Sequence, residues 1–581
     1  MDLRNAPNIN ALWGNLIIEE LIRCGVDYFC IAPGSRSAPL TVAVACSKQA
    51  KTFIHFDERG LAFHALGYVS ATRKPVALIC TSGTAVANFF PAIIEASKKK
   101  LPLVILTADR PPELQKSGTD QTIDQAGIFG KYAKWEFHFP CPAKEIKPEF
   151  VLTTIDQAVY QAKSGMPGVV HLNCMFREPL APVKKEDHPQ DYLKNINVWL
   201  RGGQPYTVYV EPKTTVNAQN PEILNALSKV KNGLITVGKL SSREEQKAVL
   251  RLAEKLAWPV FADITSGLRL GQEHKNLISY YSQILLSDKA VKKFKFDGVL
   301  HLGGRMCPRR YYHFIRHIQP KHYITVLPHP LRNDPFHFVT LRVQSPIKDF
   351  CEFAAAHMKT RGTNSRIGQL KVLSEKIGQQ IDQRLDKEST LNEISVARLV
   401  SRLVPRDSVL FLASSMPIRD MDMFAVHDGH PVMLGSNRGA SGIDGTIATA
   451  VGFAKACDKP ATLVIGDLAA LHDLNSLAMV RDLKKPFIIV ILNNNGGGIF
   501  HFLPIAGFKD VCEKYFAAPH HLNFSAAGKM FNFDYHLPES RSHFMQVYQN
   551  TLKSKRAAIL EVRSIREQNY LVHKEVTSAE S

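Results

Sequence analysis

The stretch whose reading decides the fold is Val464–Phe500, VIGDLAALHDLNSLAMVRDLKKPFIIVILNNNGGGIF. It begins inside an apolar strand, Ala461–Ile465, turns at Gly466-Asp467, and runs through a helix expected to begin near Leu471. It then returns in a second apolar strand, Phe487–Leu492, that ends in Asn493-Asn494-Asn495. Strands of this length separated by one helix pair in parallel within a helix-covered sheet. Two adjacent parallel strands deliver Asp467 and Asn494 to the same sheet edge, where open α/β sheets hold their ligands. Both side chains offer hard oxygen atoms, and the glycines that follow, beginning with Gly496, let a backbone carbonyl approach an ion closely. Carboxylate, amide oxygen and carbonyl suit Mg²⁺, with phosphate oxygens and water completing an octahedron. A helix N-terminus at that edge favours a diphosphate. Taken singly, GD is a common turn and NNNGGG a tight loop; their order along one strand-helix-strand unit carries the reading.

The same rhythm runs outward from this stretch. In the first third, strands are expected at Asp27–Ala32, Thr52–Phe56, Pro75–Cys80 and Leu101–Leu106, with helices over Leu61–Thr72 and Thr84–Lys100. The segment Glu178–Pro205, rich in Pro and charge, reads as a linker. Strands follow at Gly233–Val237 and Gly298–Leu302. A polar helical stretch, Ser365–Leu385, reads as a second connector, and Val409–Ala413 restarts the pattern. The fold class is therefore α/β, with three doubly wound parallel-sheet domains over residues 1–190, 205–360 and 390–581.

With 581 residues, 45% hydrophobic and 22% charged, the chain is globular and long enough for several cores. No apolar run reaches the ~18 residues a membrane helix needs. The N-terminus MDLRNAPNINALWG lacks a signal peptide's apolar segment, so a cytoplasmic protein without a membrane partner is expected. Ten cysteines without a CxxC pair read as reduced core residues. The net charge of +19 is dispersed in short clusters, with no basic stripe interleaved with aromatics. It reads as a basic solvated surface suited to anionic substrates, and no nucleic-acid partner is expected.

The GD and NN pair resembles the signature of thiamine-diphosphate enzymes, with Leu468 where a third-position Gly is usual; that change removes a flexible residue but no ligand. The resemblance implies pyrimidine-binding, central and diphosphate-binding domains, with thiamine diphosphate and Mg²⁺ (or Mn²⁺) as cofactors. Asp467, Asn494 and Gly496 would hold the metal, and Gly466 and Leu468 would join them against the cofactor. Glu58, in FIHFDERG, would hydrogen-bond N1′ of the aminopyrimidine and favour the tautomer that activates thiazolium C2.

A closer likeness lies in IAPGSRSAPL (31–40), FDERG (56–60), CTSGTAVANFFPAIIEA (80–96), LTADRPPEL (106–114), SNRGASGIDG (436–445), GDLAALHDLN (466–475) and NNNGGGIF (493–500). These resemble the 2-succinyl-5-enolpyruvyl-6-hydroxy-3-cyclohexene-1-carboxylate synthase family of menaquinone biosynthesis, densely in the first and last thirds and weakly in the middle. The resemblance implies decarboxylation of 2-oxoglutarate and Stetter-like 1,4-addition of the succinyl-semialdehyde carbanion to isochorismate. Both substrates carry several carboxylates, which calls for guanidinium groups. The family's positions supply Arg36 beside Ser35, Arg110, Arg419 and Arg438, with Gln121 as a further substrate contact. Arg309 stands where a Lys is frequent, and Asp120 stands where Asn is common. Glu58, Ser415 and Arg36 would be the catalytic groups. Ile443 would support the bent cofactor, and Ile499, Phe500 and Leu503 would form an apolar wall. The family further implies a homodimer or homotetramer with sites shared between subunits. Two alternatives stand beside this reading. An acetolactate-synthase-like carboligase is disfavoured by the arginine set, and a catalytically silent binding protein by the intact Glu58, Asp467 and Asn494.

Overall fold

The computed structural model describes residues 3–184, 189–210, 221–362, 364–388, 390–554 and 556–578. Contacts divide it into two compact units. The first is Met1–Pro212 with Asn437–Asp458 and His472–Lys484; the second is Lys213–Ser436 with Lys459–Leu471 and Lys485–Ser581.

The first unit is built on six parallel strands: β1 (Tyr28–Ile31), β2 (Lys51–Ile54), β3 (Val76–Cys80), β4 (Leu103–Asp109), β5 (Ala133–Phe139) and β6 (Val169–Met175), in the order β2-β1-β3-β4-β6-β5. Every residue of β1, β3 and β4 is buried, as expected where helices cover both faces of a parallel sheet. Edge strand β2 buries only Phe53. Part of the segment read as a linker belongs to this unit's core, where Leu193, Ile196 and Trp199 are buried; residues 185–188 lie outside the described residues.

The second unit holds two parallel sheets. One comprises β7 (Gly233–Val237), β8 (Val260–Ala262), β9 (Gly298–Leu302), β10 (His322–Leu327) and β11 (Leu341–Gln344), ordered β11-β10-β9-β7-β8. The other comprises β12 (Val409–Leu412), β13 (Met433–Ser436), β14 (Ala461–Gly466), β15 (Phe487–Asn493), β16 (Asp534–His536) and β17 (Ala558–Arg563), ordered β13-β12-β14-β15-β17-β16. All three sheets are thus parallel α/β layers, the fold class expected. No helix among the described residues is long and apolar enough to cross a membrane.

Three local expectations are corrected. The helix over Thr84–Lys100 is two helices, Thr84–Asn88 and Phe90–Lys99, because Pro91 has no N–H for the carbonyl one turn earlier. The Ser365–Leu385 stretch is a helix, Ser365–Asp386, but more than a connector: Leu370, Ile377, Ile381 and Leu385 recur at helical spacing and are buried in the second unit's core. The helix placed near Leu471 begins at Asp467 itself and ends at His472, and a 3₁₀ segment, Leu474–Asp482, follows it.

Within the first unit the helix Glu58–Thr72 crosses the helix Thr446–Cys457 at glycines. A Cβ on Gly67 would lie 2.0 Å from the Thr449 carbonyl oxygen, and one on Gly452 would lie 2.0 Å from that of His64. Backbone cannot yield as a side chain can, so Gly67→Ala is expected to cost about 1–3 kcal/mol. Gly368→Ala, in a helix with open space at the Cβ position, should be neutral or slightly stabilising. Thermal unfolding of the two variants checks the contrast.

Candidate functional site

In the first unit, β1 and β3 are neighbours at the point where the strand order reverses, and the loops leaving β1, β3 and β4 share that edge. The β1 loop presents exposed Ser35 and buried Arg36, whose Nη1 donates to the Phe176 carbonyl at 3.0 Å. Burial and then the charge of Arg110 lower the pKa of Arg36, so the two guanidinium groups act on each other. Arg110 donates to the Asp120 carbonyl at 2.7 Å. The backbone oxygen, not the carboxylate, of the residue where Asn is common therefore serves the guanidinium. Gln121 follows with φ 52°, and its Cα lies 3.5 Å from where a Gly83 Cβ would stand. Ser35, Arg36, Arg110 and Gln121 thus sit on loops of one sheet edge, and the Nε atoms of Arg36 and Arg110 are buried without a partner.

Glu58 opens its helix after β2, behind the N-cap Asp57, which accepts from the Gly60 N–H at 3.2 Å. It is half-buried, and Asn88 donates to its Oε2 at 3.4 Å. Arg438 and Ile443 lie on a loop held from beneath by Glu95. This buried carboxylate accepts the N–H groups of Gly439 at 2.7 Å, Ala440 at 2.5 Å and Ser441 at 3.4 Å. Ile443 stays 39% exposed, an unusual position for an isoleucine between two glycine-bearing turns. Beside the loop lies a cavity of about 190 Å³ lined by Phe63, Ile94, Glu95, Asn437 and Asp444 among others.

In the second unit, β14 and β15 pair in parallel with Gly466 opposite Leu492, so Asp467 and Asn494 leave adjacent strand ends. Asp467 is buried; its Oδ1 accepts from the Leu468 N–H at 2.7 Å and its Oδ2 from the Gly496 N–H at 2.8 Å. Gly496 has φ 135°, and a Cβ there would fall 2.2 Å from the Ala517 carbonyl oxygen, so no other residue fits. Its carbonyl accepts from the Gly498 N–H at 3.0 Å. Asn494 Nδ2 donates to Glu393 at 2.7 Å, Arg566 donates to the Asn494 carbonyl at 2.9 Å, and Asn494 Oδ1 is buried without a partner. Carboxylate and amide oxygen on adjoining strands can hold a hard cation. Ile499 and Phe500 are half-buried and Leu503 is 37% exposed on the 3₁₀ turns that follow.

Ser415, at the end of β12, has φ 72° and ψ −134°, a strained conformation for a residue with a side chain. It caps the helix Met416–Phe424, and Arg419 one turn on donates to the Ser415 carbonyl. That helix is clamped on two sides. Asp422 accepts from the Ile264 N–H at 2.8 Å and from Ser282 Oγ at 2.9 Å, and Asp420 pairs with His573 at 2.9 Å. Arg309 is exposed at the start of the helix Arg309–Ile318; its neighbour Arg310 reaches Met423 of the clamped helix.

Four residues outside the sequence reading shape these sites: Glu95, Glu393, His520 and Arg566. His520 Nε2 lies 3.2 Å from Asp467 Oδ2. Asn392-Glu393 carries a readable sign, an N-cap Asn with Ser395 completing a capping box, but nothing local points to its partner 101 positions away.

The chain matches three family models: the N-terminal thiamine pyrophosphate binding domain of thiamine pyrophosphate enzymes over residues 13–128, the thiamine pyrophosphate middle domain over 190–412, and the C-terminal thiamine pyrophosphate binding domain over 423–562. It is therefore a thiamine-diphosphate-dependent enzyme. Relatives named 2-succinyl-5-enolpyruvyl-6-hydroxy-3-cyclohexene-1-carboxylate synthase are 43% identical in Rubrobacter xylanophilus (98% of this chain, 98% of the relative), 41% in Prosthecochloris aestuarii (99% and 98%) and 44% in Pelodictyon phaeoclathratiforme (98% and 95%). The chain belongs to this synthase family.

The clamp on the Ser415 helix carries a pH signature. Burial lowers the pKa of His573, but the charge and hydrogen bond of Asp420, the charge of Glu393 and the Asn569 carbonyl together outweigh it, and the net pKa is raised above 6.5. A histidine raised on folding adds stability that is fully present below its unfolded pKa and is lost as pH rises through the folded value. Unfolding midpoints should therefore fall as pH is raised above about 6.5. Asp420→Asn should lower the midpoint at pH 6 and flatten that slope, as thermal scans of both proteins at several pH values will show.

Proposed function

We propose that the enzyme decarboxylates 2-oxoglutarate and joins the remaining four-carbon fragment to isochorismate by a Stetter-like 1,4-addition. The product is 2-succinyl-5-enolpyruvyl-6-hydroxy-3-cyclohexene-1-carboxylate, for menaquinone synthesis. The observation that carries the reading is the buried, partnerless Asn494 Oδ1 on the strand beside Asp467. A buried polar atom without a partner is costly, and a hard cation would satisfy it. Mg²⁺ or Mn²⁺ held by Asp467, Asn494 and the Gly496 carbonyl, and shared with a diphosphate, matches this donor set. The choice of substrates is supported by the guanidinium groups on the sheet edges and by the name the relatives bear.

Bound thiamine diphosphate supplies the nucleophilic carbon and the electron sink. The chain's residues supply position and field. Glu58 holds a proton at N1′ of the aminopyrimidine. Gly466 and Leu468 would lie against the diphosphate, and Ile443 would support the ring system. Arg36, Arg110, Arg419 and Arg438 take substrate carboxylates, helped by Ser35, Gln121 and Arg309; two fixed guanidinium groups suit a dianion better than a lone one. Ser415 would meet the reacting carbon. Ile499, Phe500 and Leu503 exclude water, which strengthens the charged contacts and protects a basic carbon from protonation. The domain limits of 1–190, 205–360 and 390–581, a cytoplasmic location, and a homodimer or homotetramer belong to the same proposal.

Product should form only when 2-oxoglutarate, isochorismate, thiamine diphosphate and Mg²⁺ are all present. Release of CO₂ without coupling would reject the acceptor, and turnover of pyruvate in place of 2-oxoglutarate would favour an acetolactate-synthase-like enzyme. Glu58→Gln should lower the rate by about 10²-fold or more while retaining cofactor. Asp467→Ala should instead lose metal-dependent cofactor retention, measured by equilibrium binding.

A further inference from the structure

We infer that Glu393 is the positioning residue that turns the Asn494 amide oxygen toward the metal; this rests on the proposed role of Asn494 as a ligand. The two ends of an asparagine amide have nearly the same shape, but only the oxygen binds a cation, so a ligand asparagine needs neighbours that decide its flip. Glu393 decides it here. A carboxyl oxygen that bears no proton only accepts, and Glu393 Oε1 is placed as such an acceptor, receiving Asn494 Nδ2 at 2.7 Å. The reversed amide would press two acceptor oxygens together. Arg566 fixes the other polar group of the residue, the main-chain carbonyl, at 2.9 Å. Oδ1 is then the one polar side-chain atom of Asn494 left over, and it is buried without a partner.

Glu393 is itself held. It is the first residue of the helix Glu393–Leu403, where a carboxylate is favoured by the exposed N–H groups. Asn392 caps that helix, accepting from the Ser395 N–H at 2.8 Å, while Ser395 Oγ accepts from the Asn392 N–H at 2.9 Å. The Glu393 N–H donates to Asn569 Oδ1 at 3.4 Å, and Ser564 Oγ donates to Oε1 at 3.4 Å. Glu393 is only 2% exposed, and no Lys or Arg is paired with it among the described ion pairs. Burial raises its pKa, Asp420 and then Asp467 add to the negative field around it, and the Asn494 hydrogen bond works the other way. Buried carboxylate charge of this kind is costly without a counter-charge, and a divalent cation at Asn494 and Asp467 supplies one.

The test is Mn²⁺ binding to the enzyme with thiamine diphosphate present, read as free Mn²⁺ by electron paramagnetic resonance. Glu393→Leu should weaken binding by about 10- to 100-fold, whereas Glu393→Gln, which can still present an oxygen to Asn494, should stay much closer to the parent. Asn494→Asp alone should bind weakly, because it sets two carboxylates against each other. Combining it with Glu393→Gln restores a donor opposite an acceptor and should recover at least about tenfold. Parent-like binding by Glu393→Leu would overturn the inference and leave the metal assignment standing. Failure of the double variant to improve on Asn494→Asp would overturn it as well, even where Glu393→Leu does not fold. Absence of Mn²⁺ binding by the parent would remove both the inference and the reading beneath it.

Discussion

The hydrogen bond from the Gly496 N–H to Asp467 Oδ2 is the constraint on which the β14–β15 loop edge of the second unit depends. It closes the turn after β15 onto the end of β14, and it can form only because the two strands run parallel with Gly466 opposite Leu492. Closing it forces Asn495 to φ 62° and Gly496 to φ 135°. That conformation in turn exposes the carbonyls of Asn494 and Asn495 to Arg566. Asn495 Oδ1 then accepts the N–H groups of His520 and His521, at 3.1 and 2.7 Å, and this brings the 520 loop over Asp467. One carboxylate thus organises two loops, and the oxygen atoms at this edge are positioned by covalent and hydrogen-bonded geometry rather than by side-chain chance.

Much of this was legible in the sequence, for a physical reason. Phe487–Asn493 is seven consecutive buried residues with polar groups only at its end, a pattern that a doubly covered parallel strand requires and other elements rarely show. Gly233–Val237 and Gly298–Leu302 were readable to the residue on the same grounds. Element boundaries at polar turns were less so. The helix after β14 starts at Asp467 because the carboxylate lies in the first turn and bonds its own neighbour's N–H, a local choice that apolar periodicity does not report. The half-exposed edge strand Ala133–Phe139 alternates polar and aromatic residues and gives no comparable run. Glu95, Glu393 and Arg566 escaped notice for another reason: each acts on backbone or amide groups far along the chain, and such contacts leave no trace in spacing.

The first and third sheets share one topology. Counting strands from the start of each sheet, both follow the order 2-1-3-4-6-5. Equivalent loops therefore carry different chemistry: Ser35 and Arg36 after the first strand of one, Ser415 and Arg419 after the first of the other; Glu58 against Arg438 after the second; Gly83 against Asp467 after the third; Arg110 against Asn494 after the fourth. The scaffold dictates where side chains emerge and is silent about what they are. The loops of one sheet carry Arg36, Arg110 and Glu58, and those of the other carry Arg419 and Arg438 together with the oxygen donors Asp467 and Asn494.

The distribution of buried charge follows from that division. Arg36 loses hydration and feels Arg110, and the carboxylates of Glu178, 3.4 Å away, and Asp109 counter this only in part. In the second unit the imbalance has the opposite sign, with Glu393, Asp420 and Asp467 acting on one another, His573 facing Asp420 and His520 facing Asp467. A fold selected for stability alone would have little use for either arrangement, since replacing buried ions by apolar groups is often neutral or stabilising. On the proposed function, polyanionic substrates would relieve the first imbalance and a divalent cation the second. Stability withheld from the free enzyme would then become affinity at the two places where charge is handled during turnover.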